Sequence, residues 1–237
     1  MSTDELVPDD FDGDGKTDLA VFRATADGAL PDYYILRSAT STISYISWGT
    51  TGDVAVTEDF DGDGKADPTI FRPSTGRFWV RRSTDGSAFQ LRPLPGNIPL
   101  VGDFDGDGKG DFGTFTDGTW LLSRSENNYT SGLLVDWGIA GDKAVPGDYD
   151  GDGKDDLAVY RPSTGTWYIQ NSSAGNRVVP FGIASDIPVP ADYDGDGRTD
   201  IAVYRNGVWY INNSTGGVLI TSFGLSGDLP LPASYIP

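Results

Sequence analysis

The sequence predicts an all-β protein of the β-propeller class, built from about five repeated units. A nine-residue aspartate motif recurs five times, its copies begin 49, 44, 45 and 44 residues apart, and no segment shows a helical apolar period. A repeat of about 45 residues suits a four-stranded propeller blade. We expect a single repeat domain with units at about 4–52, 53–96, 97–141, 142–185 and 186–227, followed by an extra strand in 228–237.

The fourth unit shows the expected strands most clearly. Residues 156–161 and 166–170 are rich in β-branched and aromatic residues, and 162–165 between them has the composition of a turn. A polar turn at 171–176 then precedes a last short strand at 177–182. Together with the segment before each motif, these elements predict four strands per unit, joined by tight connections.

Prolines mark the segment before four of the five aspartate motifs and the surplus copy near the end of the chain. Proline has no N–H group, so a strand with alternate prolines cannot pair along that edge. We therefore expect an edge strand, such as the channel-lining strand of a propeller blade; an extended linker is the alternative. The prolines are Pro8, Pro99, Pro146, Pro188, Pro190, Pro230 and Pro232.

The end of the chain carries a surplus copy of this first strand. Residues 228–235 resemble 4–11, but Ser234 stands at the aspartate position and no motif follows. One copy would close the ring, and the other would be displaced or would pair with a second molecule. A homo-oligomer formed through the surplus strand is therefore one of the expected alternatives.

Each motif has the form Asp-[Phe/Tyr]-Asp-Gly-Asp-Gly-[Lys/Arg]-x-Asp, with carboxylates at positions 1, 3, 5 and 9. Oxygen ligands at this spacing are typical of Ca²⁺, and glycine at position 6 permits the sharp turn that gathers them. Position 7 offers its backbone carbonyl whatever its side chain. The candidate metal ligands are Asp10, Asp12, Asp14, Lys16, Asp18, Asp59, Asp61, Asp63, Lys65, Asp67, Asp103, Asp105, Asp107, Lys109, Asp111, Asp148, Asp150, Asp152, Lys154, Asp156, Asp192, Asp194, Asp196, Arg198 and Asp200, with Lys and Arg acting through the backbone carbonyl.

The motif differs from an EF-hand in its second half. An EF-hand has a bidentate Glu at position 12 and an exiting helix, whereas position 12 here is Val, Ile or Thr within a predicted strand. A single motif would be compatible with a plain turn. Five copies with four carboxylates each would repel strongly without a cation among them. We expect about five Ca²⁺ ions, because Mg²⁺ demands tight octahedral geometry.

The net charge of −18 has the same origin. Positions 1, 3, 5 and 9 of the five motifs hold 20 of the 35 acidic residues, and the other 15 nearly match the 17 Lys and Arg, so five Ca²⁺ ions would bring the charge from −18 to −8. An acidic chain lacks the basic surface that nucleic acids and anionic membranes require. We expect neither as a partner.

Cysteine and histidine are both missing from the sequence. This excludes disulfides, thiolate and histidine-zinc sites, and nucleophiles activated by histidine. No apolar stretch has the length of a membrane span, and residues 1–5 lack an apolar signal region. The protein is therefore expected to be either cytosolic or secreted with its signal already removed. The many carboxylate loops favour the calcium-rich outside of a cell.

Residues 147–162, with Trp167 and the pair Phe181 and Gly182, resemble the FG-GAP/VCBS repeat of integrin-like β-propellers. An aromatic-Gly pair recurs in the first, third and fifth units, whereas the second has Leu-Pro-Gly at 94–96. The resemblance implies four-stranded blades with calcium between the first and second strands. Integrin-type propellers have seven blades, so five repeats imply a smaller ring or part of a larger array.

These features favour a non-catalytic, calcium-stabilised interaction or adhesion module at the cell surface, whose protein or glycan partner the sequence does not identify. An enzyme is less favoured, because the only candidate acid–base groups are the calcium-binding aspartates, and we assign no catalytic residue. Four recurring arginines are expected to contact carboxylates or carbonyls rather than a substrate. They are Arg23, Arg72, Arg161 and Arg205.

A lectin is the main alternative. Recurring aromatic residues would stack on a sugar face if they were exposed. Packing between blades is the competing interpretation, and we favour it because these residues lie within predicted strands. They are Trp79, Trp120, Trp167 and Trp209, with Tyr33 or Tyr34 in the first unit.

Overall fold

A computed structural model of the chain describes residues 4–25, 30–96 and 98–231. Within these ranges, twenty strands form five four-stranded antiparallel sheets, one for each repeat. The only helical element in the described ranges is a 3₁₀ turn at Ser125–Asn127. The predicted all-β fold, a five-bladed β-propeller with four strands per blade, is confirmed.

The strands follow one another in chain order within each blade. Blade 1 contains β1 (Glu5–Leu6), β2 (Leu19–Phe22), β3 (Tyr33–Leu36) and β4 (Ile43–Ile46). Blade 2 contains β5 (Val54–Glu58), β6 (Asp67–Arg72), β7 (Arg77–Arg81) and β8 (Ala88–Gln90), and blade 3 contains β9 (Ile98–Gly102), β10 (Asp111–Thr116), β11 (Thr119–Ser123) and β12 (Leu133–Asp136). Blade 4 contains β13 (Lys143–Ala144), β14 (Leu157–Arg161), β15 (Thr166–Gln170) and β16 (Arg177–Pro180), and blade 5 contains β17 (Ile187–Pro188), β18 (Ile201–Arg205), β19 (Val208–Asn212) and β20 (Val218–Ser222).

The described residues fall into two compact units. The first contains the chain up to Phe115 together with Leu121–Leu134, and the second contains Thr116–Trp120 and the chain from Val135 onward. Each unit has its own apolar core, with Phe78 and Phe112 fully buried in the first and Trp167 and Ile169 in the second.

The first strand of every blade lies at the edge of its sheet, as the prolines predicted. Strands β1, β5, β9, β13 and β17 each have one neighbour, the second strand of the same blade. Pro188 lies in β17 and pairs opposite Val203. Proline has no N–H group, and the other side of this strand is unpaired.

One aromatic side chain of the third strand packs into the core of each blade. Tyr33, Phe78, Trp120 and Trp167 are fully buried, and their counterpart Trp209 is partly buried. In blade 2 the buried position belongs to Phe78, so grouping Trp79 with the other three tryptophans was wrong by one residue. Adjacent strand residues alternate between the two faces of a sheet, which places Trp79 on the other face.

The four recurring arginines bind carboxylates, as predicted. Arg72 and Arg161 each donate two hydrogen bonds of 2.8 Å to the aspartate 19 residues earlier, Asp53 or Asp142. Arg23 and Arg205 bind their own aspartates in the same bidentate way. Each guanidinium also lies 4.1–5.3 Å from the centroid of an aromatic ring on the third strand. These arginines therefore join the first three strands of a blade.

The surplus strand falls largely outside the described part of the chain. Residues 228–231 have no strand assignment, and 232–237 are not among the described residues. Its pairing, within the chain or with a second molecule, stays a prediction.

Candidate metal centres

Each aspartate motif forms the loop between the first and second strands of its blade, as the resemblance implied. Isolated bridges close the base of the loop in blades 1, 4 and 5, for example between Asp9 and Asp18. In blades 2 and 3 the ladder continues to the ninth aspartate, which begins β6 or β10. The loop is therefore held at both ends by strand pairing.

The first aspartate of each motif organises the turn. In loop 4, Asp148 accepts hydrogen bonds from the N–H groups of Gly151 at 2.6 Å and Gly153 at 2.8 Å. The other four loops repeat this pair of bonds. Gly151 and Gly153 have φ of +78° and +85°, a region that side chains disfavour. This explains the glycines at positions 4 and 6.

The ninth aspartate is the buried end of each cluster. All five such residues are at most 1% exposed. In loop 3, Asp111 accepts hydrogen bonds from the N–H groups of Phe104 and Ser125, at 2.9 and 2.7 Å. Burial nevertheless raises the pKa of Asp111 to about 7, and it raises the pKa values of Asp67 and Asp156 to about 6.

A serine after the third strand donates hydrogen bonds to the aspartates of each loop. The sequence analysis did not identify it. The N–H group of this serine donates to the ninth aspartate over 2.6–2.7 Å in all five blades. Its hydroxyl reaches the fifth-position aspartate in four blades and the third-position aspartate in blade 3. The sequence does carry a signal for this residue: each serine lies 14–20 residues after the ninth aspartate and directly follows Arg or Asn. The serines are Ser38, Ser83, Ser125, Ser172 and Ser214.

Three of the four predicted carboxylates of each loop converge. Positions 1, 3 and 9 offer oxygens that all lie within 4.8 Å of one another, which is the case for Asp59, Asp61 and Asp67. The fifth-position aspartate is not part of this group. It accepts the N–H of position 7 instead, over 3.0 Å from Lys65 to Asp63. The same converging triad is present in all five loops: Asp10, Asp12 and Asp18; Asp103, Asp105 and Asp111; Asp148, Asp150 and Asp156; Asp192, Asp194 and Asp200.

The residues fit a calcium ion. Oxygens on opposite sides of Ca²⁺ lie about 5 Å apart, twice the usual Ca–O distance, so the triads have the right span. In two loops a third-position oxygen, Oδ1 of Asp61 or Asp150, is buried without a hydrogen-bond partner among the described residues. A buried carboxylate oxygen without a donor is costly unless a cation compensates it. The loops offer only oxygen ligands, which Ca²⁺ prefers over softer donors.

Among the described residues, no helix is long and apolar enough to cross a membrane.

Solved structures with similar folds include a lectin and a lyase. The Agrocybe aegerita lectin that recognises non-reducing terminal N-acetylglucosamine shares 20% identity at a TM-score of 0.62, over 95% of this chain and 66% of its own. The Staphylococcus aureus virginiamycin B lyase shares 10% identity at a TM-score of 0.57, over 91% of this chain and 70% of its own. Such low identities support the fold alone, and propellers of this kind include both binding proteins and enzymes.

No curated protein sequence matches the chain. The model of the FG-GAP-like repeat matches residues 148–203, which include the whole of the fourth and fifth aspartate loops. The other three loops repeat the same motif, the same hydrogen bonds and the same carboxylate triad. The resemblance found in the sequence is therefore confirmed for residues 148–203, which match the FG-GAP-like repeat.

Proposed function

We propose that this chain is a non-catalytic interaction module in which each aspartate loop binds one structural Ca²⁺ ion, about five in all. The observation that carries the proposal is the buried ninth aspartate, which meets two further carboxylates at the span of a calcium shell. Burial raises the pKa of this aspartate in loops 2, 3, 4 and 5. The carbonyl of position 7 is the proposed fourth contact.

The ion would join three strands of a blade. Positions 1 and 3 follow the first strand, position 9 lies at the start of the second, and the serine that holds position 9 follows the third. Because the unfolded chain cannot assemble this ligand set, calcium would stabilise only the folded state. At a calcium concentration of about 100 times Kd, each site contributes about 2.7 kcal/mol to the free energy of unfolding.

Two features favour a binding role over catalysis. The sequence has no histidine or cysteine, and the clustered aspartates are committed to the proposed ions. Three of the four recurring arginines bind buried aspartates: the side chains of Asp53, Asp142 and Asp186 are at most 1% exposed. We propose an extracellular or cell-surface location, where free calcium is abundant, and a protein or glycan as the partner.

Chelation tests the proposal. Atomic emission should detect about five calcium ions per dialysed chain, and excess EDTA should lower the melting temperature steeply. Excess calcium should restore it, and magnesium should restore it only partly. An unchanged melting temperature in EDTA, or a calcium content near zero after dialysis against calcium buffer, would refute the proposal.

Carbohydrate binding is the second candidate. Tyr33, Trp120 and Trp167 are buried and cannot stack on a sugar. Tyr204, Trp209 and Phe223, however, line a surface cavity of about 320 Å³ in the second unit, and Phe223 is 77% exposed. Aromatic faces of this kind can stack on sugars. A glycan array on which wild type binds and Trp209→Ala does not would favour this candidate, and an array without any binder would reject it.

A further inference from the structure

A cavity of about 320 Å³ in the first unit collects basic side chains. It lies between blades 1 and 2. Four of the chain's 17 Lys and Arg line it, although the net charge of the chain is −18. They are Arg37, Lys65, Arg81 and Arg82.

Within the described ranges, none of these four cations forms a salt bridge with a carboxylate. The ion pairs of that part of the chain involve Arg23, Arg72, Arg124, Arg161 and Arg205 only. Arg37 donates instead from Nε to Ser44 Oγ over 3.3 Å, and the Arg82 guanidinium lies 5.2 Å from the centre of the Phe89 ring. The cavity thus differs from the recurring arginine positions, whose charge is matched by an aspartate.

Three of the cations are positioned by the aspartate-loop architecture. Arg37 and Arg82 directly precede the serines whose N–H groups hold the ninth aspartates of loops 1 and 2. Lys65 is position 7 of loop 2, and its alkyl chain lies against loop 1, where a Cβ added to Gly13 would come within 3.0 Å of its Cε. Arg81, the fourth of these cations, is the last residue of β7. Their convergence is therefore part of the folded framework.

The cavity also has an apolar floor. Phe11, Ile35 and Ala66 line it and are 6%, 1% and 4% exposed. Guanidinium groups recognise the planar oxygens of carboxylate and the tetrahedral oxygens of sulfate through paired N–H donors. Asp14, Asp63 and Asp85 lie near these cations, but none of them forms a salt bridge with the four cations within the described ranges. The local chemistry is that of a site for an anionic group attached to a less polar body.

We propose that this cavity binds a small organic anion, of about the size of one sugar ring, through a carboxylate or sulfate group. The oxyanion contacts Arg37, Arg81 and Arg82, with Lys65 adding a fourth positive charge. The body of the ligand lies against Phe11 and Ile35. The site is distinct from the aspartate triads.

Calorimetric titration of the full chain in calcium-containing buffer of low, constant ionic strength tests the proposal. Glucuronate is the carboxylate probe, glucose 6-sulfate the sulfate probe and glucose the neutral control. At least one anionic probe should bind with one-to-one stoichiometry, and glucose should not. Arg37→Gln and Arg81→Gln, which keep much of each side chain and remove its charge, should each weaken binding about tenfold or more.

Lys65→Ala and Lys16→Ala form a matched pair. Both residues are position 7 of an aspartate loop, but Lys16 is exposed and does not line the cavity. Only Lys65→Ala should weaken binding of the anionic probe. Equal weakening by the two variants would indicate a general charge effect and overturn the proposal. So would the failure of both anionic probes to bind folded wild-type protein, or undiminished binding in the Arg37→Gln, Arg81→Gln double variant.

Discussion

The backbone N–H of Ala66 donates a hydrogen bond of 2.7 Å to the backbone carbonyl of Asp10, and so joins the second aspartate loop to the first. The same bond runs from Gly110 to Asp59 at 2.7 Å and from Thr199 to Asp148 at 2.6 Å. In each case the donor belongs to the peptide unit whose carbonyl is the proposed calcium ligand at position 7. One rigid, planar peptide therefore faces two neighbouring loops.

Neighbouring calcium sites should consequently be coupled. An ion that orders the peptide of Lys65 and Ala66 also orders the acceptor on Asp10, so occupancy of one loop favours the next. In a calcium titration followed by calorimetry, Asp59→Asn should remove the loop 2 ion and also weaken binding at the remaining sites of the first unit severalfold. Loss of one ion with unchanged affinity at the other four would show that the loops are independent.

The bidentate pair between Arg161 and Asp142 should be a strong contributor to stability. The Asp142 side chain is 1% exposed, and Arg161→Ala leaves its charge without a partner. Breaking a buried pair in this way costs about 3–5 kcal/mol, measurable by urea denaturation. Arg124→Ala is the control, because Arg124 and Glu126 form a more exposed pair that contributes about 0–1 kcal/mol. Similar losses in both variants would contradict this ranking.

The contact between Gly165 and Gly182 should tolerate no side chain. A Cβ added to Gly165, where φ is +62°, would lie 2.2 Å from the Gly182 carbonyl oxygen. Backbone strain alone costs about 1–2 kcal/mol, and the clash adds to it, so Gly165→Ala should lower the free energy of unfolding by more than about 2 kcal/mol. Gly175→Ala has open space and should change it by less than about 0.5 kcal/mol. A tolerated Gly165→Ala would mean that Gly165 does not approach the Gly182 carbonyl this closely.

The calcium-free protein should become more stable as the pH falls from about 7.5 to 5.5. Burial raises the pKa of Asp111 from its ordinary value of 3.8 to about 7 in the folded state. The folded chain therefore binds this proton more tightly than the unfolded chain does. The stabilisation is fully present below about pH 4 and is lost as the pH rises through about 7.

Thermal melts in excess EDTA at several pH values measure this effect, and Asp111→Asn should reduce the slope. With calcium bound the trend should reverse, since protons compete with the ion for the carboxylates. A melting temperature of the calcium-free protein that falls over this window would contradict the assignment of the pKa.

Much of the fold could be predicted because it repeats. Five copies of one motif set the blade length, and alternate prolines identified β17 and its counterparts as edge strands, because a missing N–H is a local property of the residue. The candidate metal ligands were equally accessible, since Asp10, Asp12 and Asp18 lie within nine residues of one another. Local chemistry was sufficient for these predictions.

The sequence by itself determined the number of blades, the position of each loop and the carboxylates available to a cation. Only the tertiary structure decided which carboxylate is buried, that Ser172 and its counterparts complete the sites, and that Phe78 rather than Trp79 fills the core of blade 2. It also brought Arg37 and Arg81 together from different blades. The physical reason is that burial and contact depend on segments that are distant in sequence, whereas turn geometry and ligand spacing are encoded within a few adjacent residues.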